Sequence, residues 1–184
     1  MSRTKRLSKN QTKEQANKHL YNPKTIHEAC RDGDIRAVQY LIEKDNLIKN
    51  VKDIDGNTPF HIACANGQLD VVKYLIEKCV NCETRNNNGD TAFILSCKAR
   101  NLFVIKYLYE HTFVDLNAQN KVGNTALHEA YLTENLHVVQ YLIEQIHMNT
   151  KIKNADGYTP FDLACINGSP TVVDYFMKNG LQYR

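Results

Sequence analysis

The sequence has no run of about 18 apolar residues, the length that a helix needs to span a hydrocarbon core. Its N-terminus is basic and lacks the apolar stretch of a secretory signal. The six cysteines are therefore expected to be thiols in a reducing compartment, with the cytoplasm as the expected location and the nucleus as the alternative. There is no GxGxxG, Walker A, HExxH, GxSxG or protein-kinase set of motifs. Cys79 and Cys82 form a lone CxxC. A zinc ribbon needs a second pair, and a redox motif needs a thioredoxin-like context. Asp53 and Asp55 precede Gly56 and fit turn residues bonding their own backbone, not paired catalytic carboxylates. No catalytic residue, metal site or cofactor is expected.

The net charge of +3 conceals a division. Residues 1–25 hold seven basic residues (Arg3, Lys5, Arg6, Lys9, Lys13, Lys18 and Lys24) against Glu14 alone, which is +6. The rest of the chain is therefore at −3. Thr12 and Gln15 fit a capping box, so a short helix over Thr12 to Tyr21 is expected, ended by Pro23 and lying as a cover over the segment that begins at Lys24. The RTKRLS run at Arg3–Ser8 suits nucleic acid, an import receptor or a basophilic kinase. No aromatics are interleaved with its basic residues, which disfavours single-stranded nucleic acid.

Glycine is scarce, with eight in 184 residues, yet it is regular. Gly56, Gly89, Gly123 and Gly157 are spaced 33, 34 and 34 residues apart. In the second unit Thr58 is an N-cap and Pro59 stands at the first helical position. Phe60, Ala63 and Cys64 make one apolar stripe, and Gly67 ends the helix. A second helix comes next, with Leu69, Val72, Leu75 and Ile76 on one face. Helices below about 12–15 residues are marginal alone, so each unit needs a neighbour. The second helix recurs as VQYLIEK, VKYLIEK, IKYLYEH, VQYLIEQ and VDYFMKN.

A 33-residue period of a turn and two helices, with Thr58-Pro59-Phe60-His61-Ile62-Ala63 as its signature and weaker forms at Thr125 and Thr159, resembles the ankyrin repeat. The resemblance implies an all-α solenoid of stacked helix-turn-helix units with projecting β-turn hairpin loops. Five repeats are expected, at about 24–52, 53–85, 86–119, 120–153 and 154–184, behind a basic extension at 1–23. It also implies a binding surface joining the hairpin tips to the first helices on the concave face.

Several positions invite closer reading. His27, His61 and His128 are expected to share one repeat position and to bond backbone groups and turn threonines. Stacked equivalents lie about 10 Å apart, too far to share one zinc ion at about 2 Å. Cys30, Cys64, Cys97 and Cys165 are expected to be small core residues, with Tyr131 in their place in repeat four packed differently or tilted out. The tyrosines of the second helices are expected half-buried with wet hydroxyls. Asp34, Asn101, Asn135 and Ser169 are expected caps, with Gln68 the exception. Arg100 and Glu134 replace the glycine that ends the first helix, so they either accept a left-handed conformation or the turn is rebuilt. Repeats one, three and four carry one extra residue after the second helix, which predicts a longer helix end or a bulged loop.

Removing the positions fixed by packing leaves an exposed stripe on turns and first helices, Arg85, Gln119 and Lys153 included. From it, Ile54, Asn88, Lys121, Val122, Leu132, Thr133, Tyr158, Ile166 and Asn167 are the candidate partner-binding residues. Apolar anchors in a polar rim suit a recognition surface. The expected function is protein–protein recognition without catalysis, as an adaptor, scaffold or inhibitor. The expected partner is a protein, not a membrane, and the chain is expected to be monomeric. The alternative is a nuclear or nucleic-acid-associated factor using the basic tail.

Overall fold

Thr25, Thr58, Thr91, Thr125 and Thr159 each place a hydroxyl where it accepts the backbone N–H three residues on, and a short helix starts after each. In this computed structural model, which describes residues 24–167 and 170–179, those first helices are α1 (Ile26–Asp32), α3 (Pro59–Ala65), α5 (Ala92–Lys98), α7 (Ala126–Leu132) and α9 (Pro160–Ile166). The second helices are α2 (Ile35–Lys44), α4 (Leu69–Glu77), α6 (Leu102–His111), α8 (Leu136–Gln140) and α10 (Pro170–Lys178). The expected helix over Thr12–Tyr21 and the cap Ser169 lie outside the described residues. No strand occurs among the described residues.

The first helices stack in one row, α1 on α3 on α5 on α7 on α9. The second helices make a second row, with α2 on α4, α4 on α6 and α8 on α10. Between the rows runs the core. Phe60, Phe93 and Leu127 fill it from the first helices, and Val38, Val72, Ile105 and Val139 fill it from the second. Each such side chain contributes roughly 1.5–3 kcal/mol by leaving water. Cys30, Cys64 and Cys97 are fully buried. Burial pushes the Cys30 thiol up to about 12 and Cys64 and Cys97 up as well, so these thiols are inert packing groups. Cys165 departs from the expectation and is exposed. Ser96 stands in an alanine's place and returns its hydroxyl to the Phe93 carbonyl at 2.7 Å.

Tyr131 does not tilt out. Its ring is fully buried and meets Phe176 edge-on at 5.2 Å. Of the second-helix tyrosines, Tyr40 is the most exposed, and the Tyr74 hydroxyl is buried without a partner instead of wet. Arg100 and Glu134 adopt positive φ, 64° and 56°, in place of glycine, at a cost of about 1–2 kcal/mol each. The extra residues are absorbed differently from repeat to repeat. α2 and α6 run to ten residues where α4 has nine. In repeat four the helix passes into a π turn at Tyr141–Gln145, the form an inserted residue commonly takes.

Gly123 shows why the period is written in glycine. Its φ is +77°, and a Cβ there would lie 2.4 Å from the Ala155 backbone nitrogen of the next repeat. Gly157 has the same conformation, φ +84°, with open space beside it. Gly157→Ala is expected to cost about 1–2 kcal/mol, for the left-handed conformation alone. Gly123→Ala adds a backbone collision and is expected to cost roughly 3 kcal/mol or more. Urea denaturation of the two variants tests the ordering; equal losses would show that the close approach does not matter.

Candidate functional site

The flank bearing the turns and first helices is built from three sets of repeated hydrogen bonds. The first begins with Asp53, Asn86, Asn120 and Asn154, one per turn. In each, Oδ1 accepts the N–H groups two and four residues on, at 2.8–3.2 Å. That shapes the turn, and Gly56, Gly89, Gly123 and Gly157 complete it with positive φ. The asparagines have a second arm that an aspartate lacks. Asn86 Nδ2 donates to Asn57 Oδ1 at 2.9 Å, Asn120 Nδ2 to Asp90 Oδ1 at 2.8 Å and Asn154 Nδ2 to Asn124 Oδ1 at 3.1 Å. Each crosses to the preceding repeat.

A second set lies one residue earlier. Lys52 Nζ donates to the Arg85 carbonyl at 3.0 Å, Arg85 to the Gln119 carbonyl at 2.6 Å and Gln119 to the Lys153 carbonyl at 2.9 Å. Arg85 and Gln119 also hold the Gly89 and Gly123 carbonyls of their own turns. These two side chains are therefore structural ties, not the free surface groups that the sequence suggested. The third set is main chain to main chain. Asn87, Lys121 and Ala155 donate to the Asp55, Asn88 and Val122 carbonyls at 2.9, 2.9 and 3.1 Å.

Asn101 is not the cap that its position suggests. It makes no capping bond. Its Nδ2 instead donates to the Cys64 and Ala65 carbonyls at 3.1 Å each, at the end of the preceding first helix. Gln68 does the same for the Arg31 carbonyl at 2.8 Å. Asp34 and Asn135 do cap, accepting from Ala37 and Val138.

The histidines divide. His61 Nδ1 lies 3.2 Å from the Thr58 N–H and 2.8 Å from its hydroxyl. His128 repeats this with Thr125, at 3.1 and 2.9 Å. An Nδ1 that accepts leaves the proton on Nε2, which in His128 faces the Tyr158 carbonyl at 3.1 Å. Glu28 and Asp162 fill the same capping box with a carboxylate. His27 keeps the shared position, three residues before Cys30, and its Nε2 faces the next repeat as that of His128 does; only the cap contact differs. Helix α1 starts one residue later relative to its closing glycine, so Glu28 meets Thr25, while His27 reaches the Asn57 carbonyl at 3.0 Å.

Burial pushes the pKa of both His61 and His128 below the ordinary 6.5. The Thr84 and Asp90 backbone opposes this at His61, and the Tyr158 carbonyl and Glu129 charge oppose it at His128. Protonating Nδ1 would also set a proton against two donors. Above pH 6.5 both imidazoles are neutral in the folded and unfolded chain, and their contribution is whole. Below it the unfolded chain takes up protons that the fold refuses, so stability falls, by at most about 1.4 kcal/mol per pH unit for each histidine. Urea midpoints at pH 7.5 and 5.5 are expected to drop for the native chain and to differ much less in His61→Gln/His128→Gln, since glutamine keeps the capping box. A pH-independent native midpoint would refute this.

Sequence reading misses the buried centre of this flank. Glu129 is almost fully buried. Its Oε1 accepts from Asn124 at 3.0 Å and Asn120 at 3.3 Å, and its Oε2 lies 3.8 Å from Lys98 Nζ. The period of Asn86, Asn120 and Asn154 is the available signal.

Around these ties stand the candidate partner-binding residues. Ile54 is 93% exposed, Ile166 60%, Val122 56%, Tyr158 42% and Leu132 39%. Leu132 and Ile166 end α7 and α9, which stack on one another. Asn88, Lys121 and Val122 lie on adjoining turns joined by the Lys121–Asn88 bond. Ile54 lies on the turn before that of Asn88, where Asn87 Nδ2 donates to its carbonyl at 3.0 Å, and so two turns from Val122, about 20 Å at helix packing distance. Thr133 is half-buried and spends its hydroxyl on the Ala130 carbonyl at 3.0 Å, and the Asn167 amide bonds the Leu163 carbonyl at 2.9 Å. Those two offer less than the sequence suggested. Leu47, Phe103 and Phe113 are more exposed than Leu132 and lie outside the stripe expected from sequence. Among the described residues, no group of three or more His, Cys, Asp or Glu is placed to hold a metal ion, and no helix is long and apolar enough to cross a membrane.

A family model described as ankyrin repeats (3 copies) matches residues 5–84, 26–120 and 112–184. The chain belongs to the ankyrin repeat family. Ankyrin repeats are generally protein–protein interaction modules, which agrees with a flank whose polar groups are tied internally while its apolar side chains face outward. No curated protein matches the chain.

Proposed function

We propose that this ankyrin array is a non-catalytic recognition module, an adaptor, scaffold or inhibitor, that binds a protein partner on the flank of turn tips and first helices. The observation that carries the reading is the exposure of Leu132, Tyr158 and Ile166, with Tyr158 on a turn that His128 and Asn154 already tie to the preceding repeat and Leu132 and Ile166 at the ends of two helices that stack on one another. Holding them costs the fold nothing further at the moment of binding, so little ordering entropy is lost. Large apolar and aromatic side chains in such a setting supply most of an interface's energy. The contact centres on repeats four and five, with Val122, Lys121 and Asn88 at its edge and Ile54 outside it.

The test is the triple variant Leu132→Ala/Tyr158→Ala/Ile166→Ala. Capture of the native partner is expected to fall at least about a hundredfold, two to three anchors at 1–2 kcal/mol each. The urea midpoint is expected to stay close to that of the native chain, as for most surface substitutions. Undiminished capture by a folded triple variant would remove this surface from the account.

A further inference from the structure

Asparagine followed by glycine is a pair prone to lose the side-chain amide, because glycine has no Cβ to shield the backbone nitrogen that attacks it. The chain has four such pairs, beginning at Asn66, Asn88, Asn167 and Asn179. All four asparagines are exposed, so the difference between them lies in their bonds. Asn66, Asn167 and Asn179 stand just after α3, α9 and α10. Each Nδ2 donates to the carbonyl four residues back, Ile62 at 2.8 Å, Leu163 at 2.9 Å and Tyr175 at 2.7 Å. Asn88 stands in a turn, and its side chain makes no hydrogen bond among the described residues. Its main chain is the part in use: the N–H donates to Asn86 Oδ1 at 3.0 Å, and the carbonyl accepts from Lys121 at 2.9 Å. The attacking nitrogens do not separate Asn88 from Asn66, since Gly67 N–H is bonded to the Cys64 carbonyl at 3.3 Å and Gly89 N–H to the Asn86 carbonyl at 3.0 Å. What separates them is the held amide.

We propose that Asn88 is a site of spontaneous deamidation in the folded array, and that its conversion releases the tie between the turns of repeats three and four. The Gly89 nitrogen attacks Asn88 Cγ. The new N–Cγ bond closes a succinimide ring, the Cγ–Nδ2 bond breaks, and ammonia leaves with the proton that Gly89 gives up. Water then opens the ring at either carbonyl. Opening at Cγ gives aspartate and a main chain of unchanged length. Opening at the other carbonyl gives isoaspartate, in which the chain runs through Cγ and is one carbon longer. The former main-chain carbonyl is then a free carboxylate. That carbonyl is the acceptor for the Lys121 N–H, and the two turns fit closely, since a Cβ on Gly89 would lie 2.9 Å from the Lys121 nitrogen. A longer turn has to give up the Lys121 bond or its own Asn86–Gly89 bond. Either product also sets a negative charge beside Lys121 and Val122. The reaction needs water alone, and it holds whether or not this flank binds a partner.

The test is to age the full chain at neutral pH and body temperature for weeks, digest it, and read each Asn–Gly pair by mass and fragmentation. Conversion is expected to be at least about fivefold faster at Asn88 than at Asn66, Asn167 or Asn179, each of which must first give up one hydrogen bond. In urea, where those bonds are lost, the four rates are expected to converge. The Lys121 amide of the aged native chain is expected to exchange faster than before ageing. In Asn88→Ser, aged alike, it is expected not to change. Conversion at Asn66 as fast as at Asn88 in the folded chain would overturn the proposal. So would a lead at Asn88 that persists in urea, since the local sequence would then account for it. An unaltered Lys121 amide in the converted chain would overturn the released tie.

Discussion

Asn120→Asp, a change of one side-chain group, is expected to destabilise the array by about 3–5 kcal/mol at pH 7, the range for uncompensated charge in a buried network. Asn120 Nδ2 donates to Asp90 and Glu129, both of them buried, while Oδ1 holds the Val122 and Asn124 N–H groups. Aspartate keeps the acceptor and so keeps the turn. It removes the donor and adds a third carboxylate beside two others. Lys98 lies 3.8 Å from Glu129 and is itself half in water. The introduced carboxylate faces two others without a donor of its own, so its ionised form is disfavoured in the fold and it holds its proton to higher pH than in the unfolded chain. The unfolded variant binds fewer protons than the folded one, and stability rises as pH falls. The loss is therefore expected to shrink between pH 7 and pH 5. Chemical denaturation of Asn120→Asp and Asn120→Ala across that range tests it. Alanine loses the turn as well, and its loss is expected not to recover in acid.

Tyr131 gives two expectations of opposite sign. Its ring is fully buried against Phe176, and its hydroxyl has no hydrogen-bond partner. Burial pushes its pKa upward, with the neighbouring Tyr175 adding to the rise. Tyr131→Ala is expected to cost about 3–5 kcal/mol, the range for an aromatic removed from a core. Tyr131→Phe keeps the ring and removes a buried polar group worth about 1–3 kcal/mol when unpaired, so the variant is expected to be more stable than the native chain. Thermal unfolding of the two variants checks both. A destabilised Tyr131→Phe would mean that the hydroxyl is satisfied in solution.

Much of the fold can be read because its signals are local. The Thr58, Thr125 and Thr159 caps, the left-handed Gly67 and the second-helix Val/Ile row each act within a few residues. What escapes depends on a partner a whole repeat away. Asn101 looks like a cap until its carbonyl acceptors, 36 and 37 residues earlier, are known. Arg85 and Gln119 look like free surface until their bonds to the next turn are seen. His27 keeps the repeat position expected of it, but the cap at Thr25 starts its helix one residue later, so Glu28 takes the bond to the threonine. Tyr131 admits two readings in the sequence because its place turns on Phe176, 45 residues on. The partner surface is legible as a set of apolar residues that packing does not require. The internal duties of Thr133 and Asn167, and the separation of Ile54, require the structure.

The central claim is that neighbouring turns bind one another across the repeats and so make a single rigid flank. Amide hydrogen exchange at Asn87, Lys121 and Ala155 tests it most directly. Their N–H groups cross to the Asp55, Asn88 and Val122 carbonyls on a surface that water could otherwise reach. Exchange is expected to be slowed toward the limit set by unfolding of the stack, in all three alike. Exchange at these amides close to the rate of an open chain, while the Val72 and Ile105 amides stay protected, would contradict the account.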